Sequence, residues 1–129
     1  MTNNELKEIL YAEDEPDIRA IAKIALEDIG GFSVKYCNSG KQVLKEITEC
    51  EPDLILLDVM MPEMDGPTTL KELRKIPKFE NIPVIFMTAK IQASEIADYK
   101  AMGVAEVINK PFDPMTLSEI IKKTWKNLS

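Results

Sequence analysis

An α/β domain built on a parallel sheet is the fold class that this chain of 129 residues predicts, and three observations predict it. Short β-rich runs alternate with segments of helical period five times along the chain, which is the sign of repeated strand-helix units. One run, Leu54-Ile55-Leu56-Leu57, is apolar without alternation, as a strand covered on both faces must be. The intervening loops are of ordinary length, with no low-complexity tract, internal repeat or linker, so residues 1–129 read as one domain.

The first strand is Ile9 to Ala12, and after Pro16 the apolar residues Ile18, Ile21, Ala22, Ala25, Leu26 and Ile29 recur at helical spacing, stopped by Gly30-Gly31. Phe32 to Cys37 is the second strand. Ser39 then caps a helix whose apolar face carries Val43, Leu44 and Ile47. The third strand runs from Asp53 to Asp58. Gly66 and Pro67 open the third helix, with Leu70, Leu73 and Ile76 inward, because proline is tolerated at a first helical position. Ile82 to Met87 is the fourth strand, finishing on Thr88, and a helix of weak apolar face follows from about Gln92 to Met102, broken by Gly103. Val104 to Ile108 is the fifth strand, ending at Asn109-Lys110-Pro111. Asp113-Pro114 starts a last helix with Leu117, Ile120, Ile121, Trp125 and Leu128 on its apolar side.

Composition excludes several classes of function. With 16 basic and 22 acidic side chains the formal net charge is -6, which disfavours a nucleic-acid backbone as partner. The two cysteines, Cys37 and Cys50, have no CxxC spacing, and the chain contains no histidine, so a zinc site and thioredoxin-type redox chemistry fit poorly. No apolar run reaches the roughly 18 residues of a membrane span, and the N-terminus lacks the character of a signal peptide. A cytoplasmic, freestanding domain is the expectation.

The chemistry-bearing residues gather where the strands end. Glu13, Asp14, Asp58, Thr88 and Lys110 all fall at carboxyl ends of strands, the edge where open α/β sheets place their ligands. Singly, each has a plainer reading: acids favouring a helix N-terminus, a capping hydroxyl, a solvated lysine. Jointly they argue for a site. Three carboxylates in a small space raise one another's pKa unless a cation is shared, and a hard ion with few carboxylate ligands points to Mg2+. A lysine and a threonine hydroxyl beside that metal form a cradle for a phosphoryl group, with an aspartate as nucleophile. Ala89 keeps the space small-sided.

The ordered set Glu13-Asp14-Glu15-Pro16, Asp58 with Met61-Pro62-Glu63-Met64-Asp65-Gly66, Thr88-Ala89 and Lys110-Pro111-Phe112 resembles the receiver domain of two-component response regulators over nearly the whole chain. The resemblance implies a flavodoxin-like three-layer sandwich with strand order 2-1-3-4-5. It also implies that Asp58 accepts a phosphoryl group from a sensor histidine kinase or phosphotransfer protein. Glu13, Asp14, Asp58 and the backbone carbonyl of Met60 would hold Mg2+, while Thr88 and Lys110 would contact the phosphoryl group. The Lys110-Pro111 bond is expected to be cis, and Gly66 to serve the turn into the third helix, where freedom to take positive φ is useful.

Two residues depart from the family pattern. Glu13 stands where aspartate is more usual, so its longer side chain is expected to reach the metal through water. Val107 stands where a Tyr or Phe commonly swings inward, which removes an aromatic switch at that position. Met60 and Lys90, two residues beyond Asp58 and Thr88, offer no Gln- or Asn-assisted hydrolysis, so slow loss of phosphate is expected. The output partner is unnamed by the sequence, with phosphorylation-dependent homodimerisation through the fourth helix to the fifth helix compatible with the resemblance. Two alternatives remain beside the switch: a receiver-fold scaffold with a silent site, and a Mg2+-dependent phosphohydrolase. The phosphohydrolase is disfavoured because Met60 stands where a second aspartate would be needed.

Overall fold

The computed structural model describes residues 5–89 and 92–128. Five parallel strands, β1 (Glu8–Ala12), β2 (Ser33–Cys37), β3 (Leu54–Asp58), β4 (Val84–Thr88) and β5 (Glu106–Asn109), lie in the order β2-β1-β3-β4-β5. Helices α1 (Pro16–Lys23), α2 (Gly40–Cys50), α3 (Gly66–Arg74), α4 (Ala93–Ala101) and α5 (Leu117–Asn127) alternate with them. The expected sheet order and the five strand-helix units are therefore observed.

Strand periodicity divides the core in two. Leu54 and Leu56 face one layer together with Ile9, Tyr11, Leu26 and Ile121, while Ile55 and Leu57 face the other with Leu10, Val43, Ile47, Leu70 and Leu73. The β3 strand is buried along its whole length, so its unbroken apolar run has a partner layer on each side. Each fully buried Leu or Ile there contributes about 2 kcal/mol through removal from water.

Helix ends follow local chemistry. The Ser39 hydroxyl accepts from the Gln42 N–H at 3.1 Å, as its position before α2 suggests. Asp65, which the sequence reading passed over, caps α3 by accepting from the Thr68 N–H at 2.8 Å. Gly31, after the π-helical stretch Ile24–Ile29 that extends the first helix, and Gly103, after α4, have φ of 76° and 96°, a left-handed turn that suits glycine. The weak apolar face expected for the fourth helix is real, since α4 has no fully buried residue.

Several expected core positions lie outside. Ile21 and Ile29 are 44% and 43% exposed, and Ile120 and Leu128 are 40% and 50% exposed. For Ile29 the cause is a π-helical stretch, Ile24–Ile29, that continues α1. Its wider turn breaks the 3.6-residue period, so Ala25 and Leu26 stay inward while Ile29 turns out. In α5 the inward line is Leu117, Ser118, Ile121 and Thr124, leaving Ile120 and Leu128 beside it. Ser118 is small enough for α5 to approach the first helix, where its hydroxyl donates to the Ala25 carbonyl at 2.6 Å.

The two thiols differ in environment. Cys37 is buried, and loss of solvent, then Glu46, pushes its pKa from 9.0 up to about 12. Cys50 is half-buried and is also raised, chiefly by burial. A folded state that holds the Cys37 proton loses stability as pH climbs from the ordinary thiol range towards about 12. At pH 8.5, iodoacetamide is expected to alkylate Cys50 first and to reach Cys37 at a comparable rate only in urea, as followed by peptide mass. Faster native labelling of Cys37 would contradict its placement.

Candidate functional site

Each functional side chain sits where a ladder of backbone bonds runs out. Ala12 pairs with Leu57, so the next residues, Glu13 and Asp58, come side by side at the point where the strand order reverses. The Glu13 N–H still bonds the Cys37 carbonyl at 2.9 Å, the Val59 N–H that of Met87 at 2.9 Å, and the Lys110 N–H that of Thr88 at 2.9 Å. The sheet thus fixes the backbone one residue past the strands, and the site inherits that rigidity.

One carboxylate oxygen each from Glu13, Asp14 and Asp58 lies within 4.8 Å of the others. Lys110 Nζ reaches into this group, donating to Glu13 Oε1 at 2.9 Å and Asp58 Oδ2 at 3.1 Å. Glu15 Oε2 is 4.0 Å from the same ammonium. Asp58 Oδ1 accepts from the Met60 N–H at 3.2 Å, which orients the carboxylate. The Met60 side chain is exposed, and Thr88 is buried at the end of β4. The Lys110-Pro111 peptide is cis, as expected. Over these groups opens a cavity of about 470 Å³ lined by Asp14, Ile18, Asp58, Met60, Ala89 and Lys110, among others. Lys90 lies outside the described residues.

Electrostatics separate the acids. Glu13 has no solvent exposure. Burial raises its pKa and outweighs the hydrogen bond from Lys110, while the Asp58 charge raises it further. For Lys110, burial acts downward, but the bond to Glu13 and the charges of Asp58 and Glu13 prevail and leave it raised. A cation in this place is therefore held firmly as a cation. Glu13 accepts from three groups: Lys110 and the Tyr11 hydroxyl on Oε1, the latter at 3.3 Å, and the Glu15 N–H on Oε2 at 3.3 Å.

All five strand-end residues named from the sequence therefore lie at the same sheet edge. Tyr11 and the Arg19 guanidinium, which donates to the Glu13 carbonyl at 2.6 Å, were not singled out. Tyr11 carried a signal, being two residues before Glu13 and so on the same face of an extended chain. Arg19 carried none, since its contact depends on how α1 packs. Gly66 lacks the positive φ expected of it; that conformation belongs to Glu63, at 68°. Its role is close approach, because a Cβ there would stand 2.8 Å from the Asp58 carbonyl oxygen. Val107 pairs with Phe86, whose ring meets Tyr99 of α4 edge-on at 5.2 Å.

A doubly wound sheet with an acidic group and a partly buried lysine at its switch point defines a class of α/β domain equipped for charge-assisted chemistry on an anion. The chain belongs to the response regulator receiver domain family, whose model matches residues 9–122. It is 32% identical over 114 residues to response regulator Rre1 of Synechocystis sp., covering 88% of this chain and 49% of that protein. It is also 32% identical over 116 residues to an uncharacterised 14.6 kDa protein of Leptolyngbya boryana, covering 90% and 88%. Its fold is similar to that of chemotaxis protein CheY4 of Vibrio cholerae, with TM-score 0.85 at 26% identity over 93% of this chain and 99% of that one. The chain thus spans about half the length of Rre1 but most of the length of the other two.

Proposed function

We propose that this receiver domain is a phosphoacceptor switch in which Asp58 is the nucleophile. A single observation carries the reading: the Asp58 carboxylate, aimed by the Met60 N–H and held by Lys110, faces an open cavity at the switch point of the sheet. An Asp58 oxygen attacks the phosphorus of a phosphohistidine, the P–N bond breaks, and the imidazole nitrogen keeps the electron pair and takes a proton from solvent. The product is an acyl phosphate on Asp58. Lys110 follows the added negative charge with one of its three N–H donors and keeps another on Glu13. Thr88 supplies a hydroxyl at the end of β4.

The clustered carboxylates suit a hard divalent ion, since their oxygens are close enough to share one and their mutual repulsion favours it. Asp14 and Asp58, with the Met60 carbonyl, would hold Mg2+ directly, and Glu13, already accepting from three donors, would act through water. When bound, Mg2+ neutralises the charge on the phosphoryl oxygens.

The donor would be a sensor histidine kinase or a phosphotransfer protein, and the result a change in binding to an output protein, with pairing of two copies as one form of that change. Residues 1–129 would act as one receiver domain that signals and turns over nothing beyond its own phosphorylation and dephosphorylation. Incubation with Mg2+ and acetyl phosphate, followed by intact mass, is expected to show one phosphoryl adduct. No adduct with any donor would favour a silent scaffold, and repeated hydrolysis of a small phosphate ester would favour a phosphohydrolase. The adduct is expected to outlast donor removal by far more than seconds.

A further inference from the structure

Among the described residues, Tyr11 is a large polar side chain buried beneath the site that the proposed chemistry leaves unused. It has no solvent exposure, and its hydroxyl donates to Glu13 Oε1 at 3.3 Å, the same oxygen that Lys110 approaches at 2.9 Å. Lys110 in turn bonds Asp58 Oδ2 at 3.1 Å. A continuous chain of contacts therefore runs Tyr11, Glu13, Lys110, Asp58.

We propose that Tyr11 is a positioning residue whose hydroxyl sets how Lys110 is divided between Glu13 and Asp58. This inference rests on the phosphoacceptor reading of Asp58 for its functional consequence, but the division itself exists in the unphosphorylated protein. A buried carboxylate needs donors to offset its lost hydration. Glu13 draws them from three places, and each donor it gains elsewhere reduces its demand on Lys110. Remove the Tyr11 hydroxyl, and Lys110, already 2.9 Å from the same oxygen, is a mobile donor placed to compensate, whereas the Glu15 N–H is fixed in the backbone. The lysine then leans towards Glu13 and away from Asp58, where the phosphoryl group arrives.

The placement of the hydroxyl is itself constrained. The Tyr11 ring lies 6.1 Å from that of Tyr36 at 48°, and the Tyr36 hydroxyl is anchored on Glu27 Oε2 at 2.9 Å. Tyr11 also sits within the β1 strand, paired with Leu56 on one side and Tyr36 on the other. It cannot swing away, so its donor is permanently presented. An aspartate at position 13 would be too short to profit from it, which makes the Tyr11 hydroxyl and the Glu13 chain length a matched pair.

The test compares Tyr11→Phe in the native background and in Glu13→Gln, with two readouts. The first is the Lys110 side-chain ammonium and Glu13 carboxyl NMR signals of unphosphorylated protein. The second is the rate of Asp58 phosphorylation by acetyl phosphate with Mg2+. Tyr11→Phe is expected to shift both signals and to slow phosphorylation about fivefold, the worth of one hydrogen bond. On the Glu13→Gln background the same change is expected to alter the rate less than twofold. Equal slowing in both backgrounds would show a merely structural tyrosine, and unshifted signals in Tyr11→Phe would likewise overturn the proposal. Should wild type take up no phosphoryl group, the phosphoacceptor reading fails on its own, and the NMR signals still decide whether Tyr11 partitions Lys110. Thermal unfolding of each variant identifies any that fails to fold, and Tyr11→Leu, which also lacks the hydroxyl, then replaces Tyr11→Phe with the same expectations.

Discussion

Asp58→Ala is expected to take up no phosphoryl group from acetyl phosphate or from a phosphorylated kinase, under conditions in which the wild-type chain gains one. The loss should be complete, because no other carboxylate combines an orienting backbone N–H, a lysine contact and exposure to the cavity among the described residues. Asp14 lines the same cavity but is not among the carboxylates that Lys110 Nζ contacts. The variant should still fold. Lys110 keeps its 2.9 Å bond to Glu13, so no buried cation is stranded. The Asp58 charge that raises Glu13 is also removed, which offsets part of the lost hydrogen bonding. A stability change within about 2 kcal/mol is expected in urea unfolding. Phosphate uptake by folded Asp58→Ala would sink the assignment of the nucleophile.

Gly66→Ala is expected to damage both stability and phosphorylation without removing any polar group. The new methyl would stand 2.8 Å from the Asp58 carbonyl oxygen and 3.1 Å from the Val59 Cα, both backbone atoms that cannot rotate aside. Overpacking of this kind costs about 1–3 kcal/mol, which lowers Tm by roughly 4–12 °C in a domain of this size. The displaced backbone is the one that carries Asp58, and the Gly66 N–H bonds the Val59 carbonyl at 3.0 Å, so the carboxylate shifts with it. Slower phosphorylation by acetyl phosphate should accompany the lower Tm. A variant as stable as wild type would show that the loop accommodates the methyl and that glycine is not required there.

These two positions also show how differently parts of the site could be read. Asp58 was legible because a strand buried on both faces has no tolerance for a carboxylate within it, so the acid must mark the strand's end. Glu13, Asp14, Thr88 and Lys110 were legible because they follow directly on the apolar runs assigned as strands. Gly66 was legible as a turn residue, but its reason was not. Whether a glycine is needed for φ or for space depends on what stands opposite, and here that is a backbone eight residues earlier in the chain. Ile29 illustrates the same limit in the core, since its apolar spacing is sound on an ideal helix and fails only because the π-helical stretch changes the pitch.

The sequence by itself determined the alternation of strands and helices, the cap at Ser39 and the strand-end position of Glu13, Asp14 and Asp58, because these follow from short-range periodicity and local backbone chemistry. Only the tertiary structure decided that Lys110 lies between Glu13 and Asp58 and that Gly66 abuts the Asp58 carbonyl. Those contacts join residues up to 97 positions apart. They are set by the register of β1 on β3 and the packing of the layers, which no local pattern encodes.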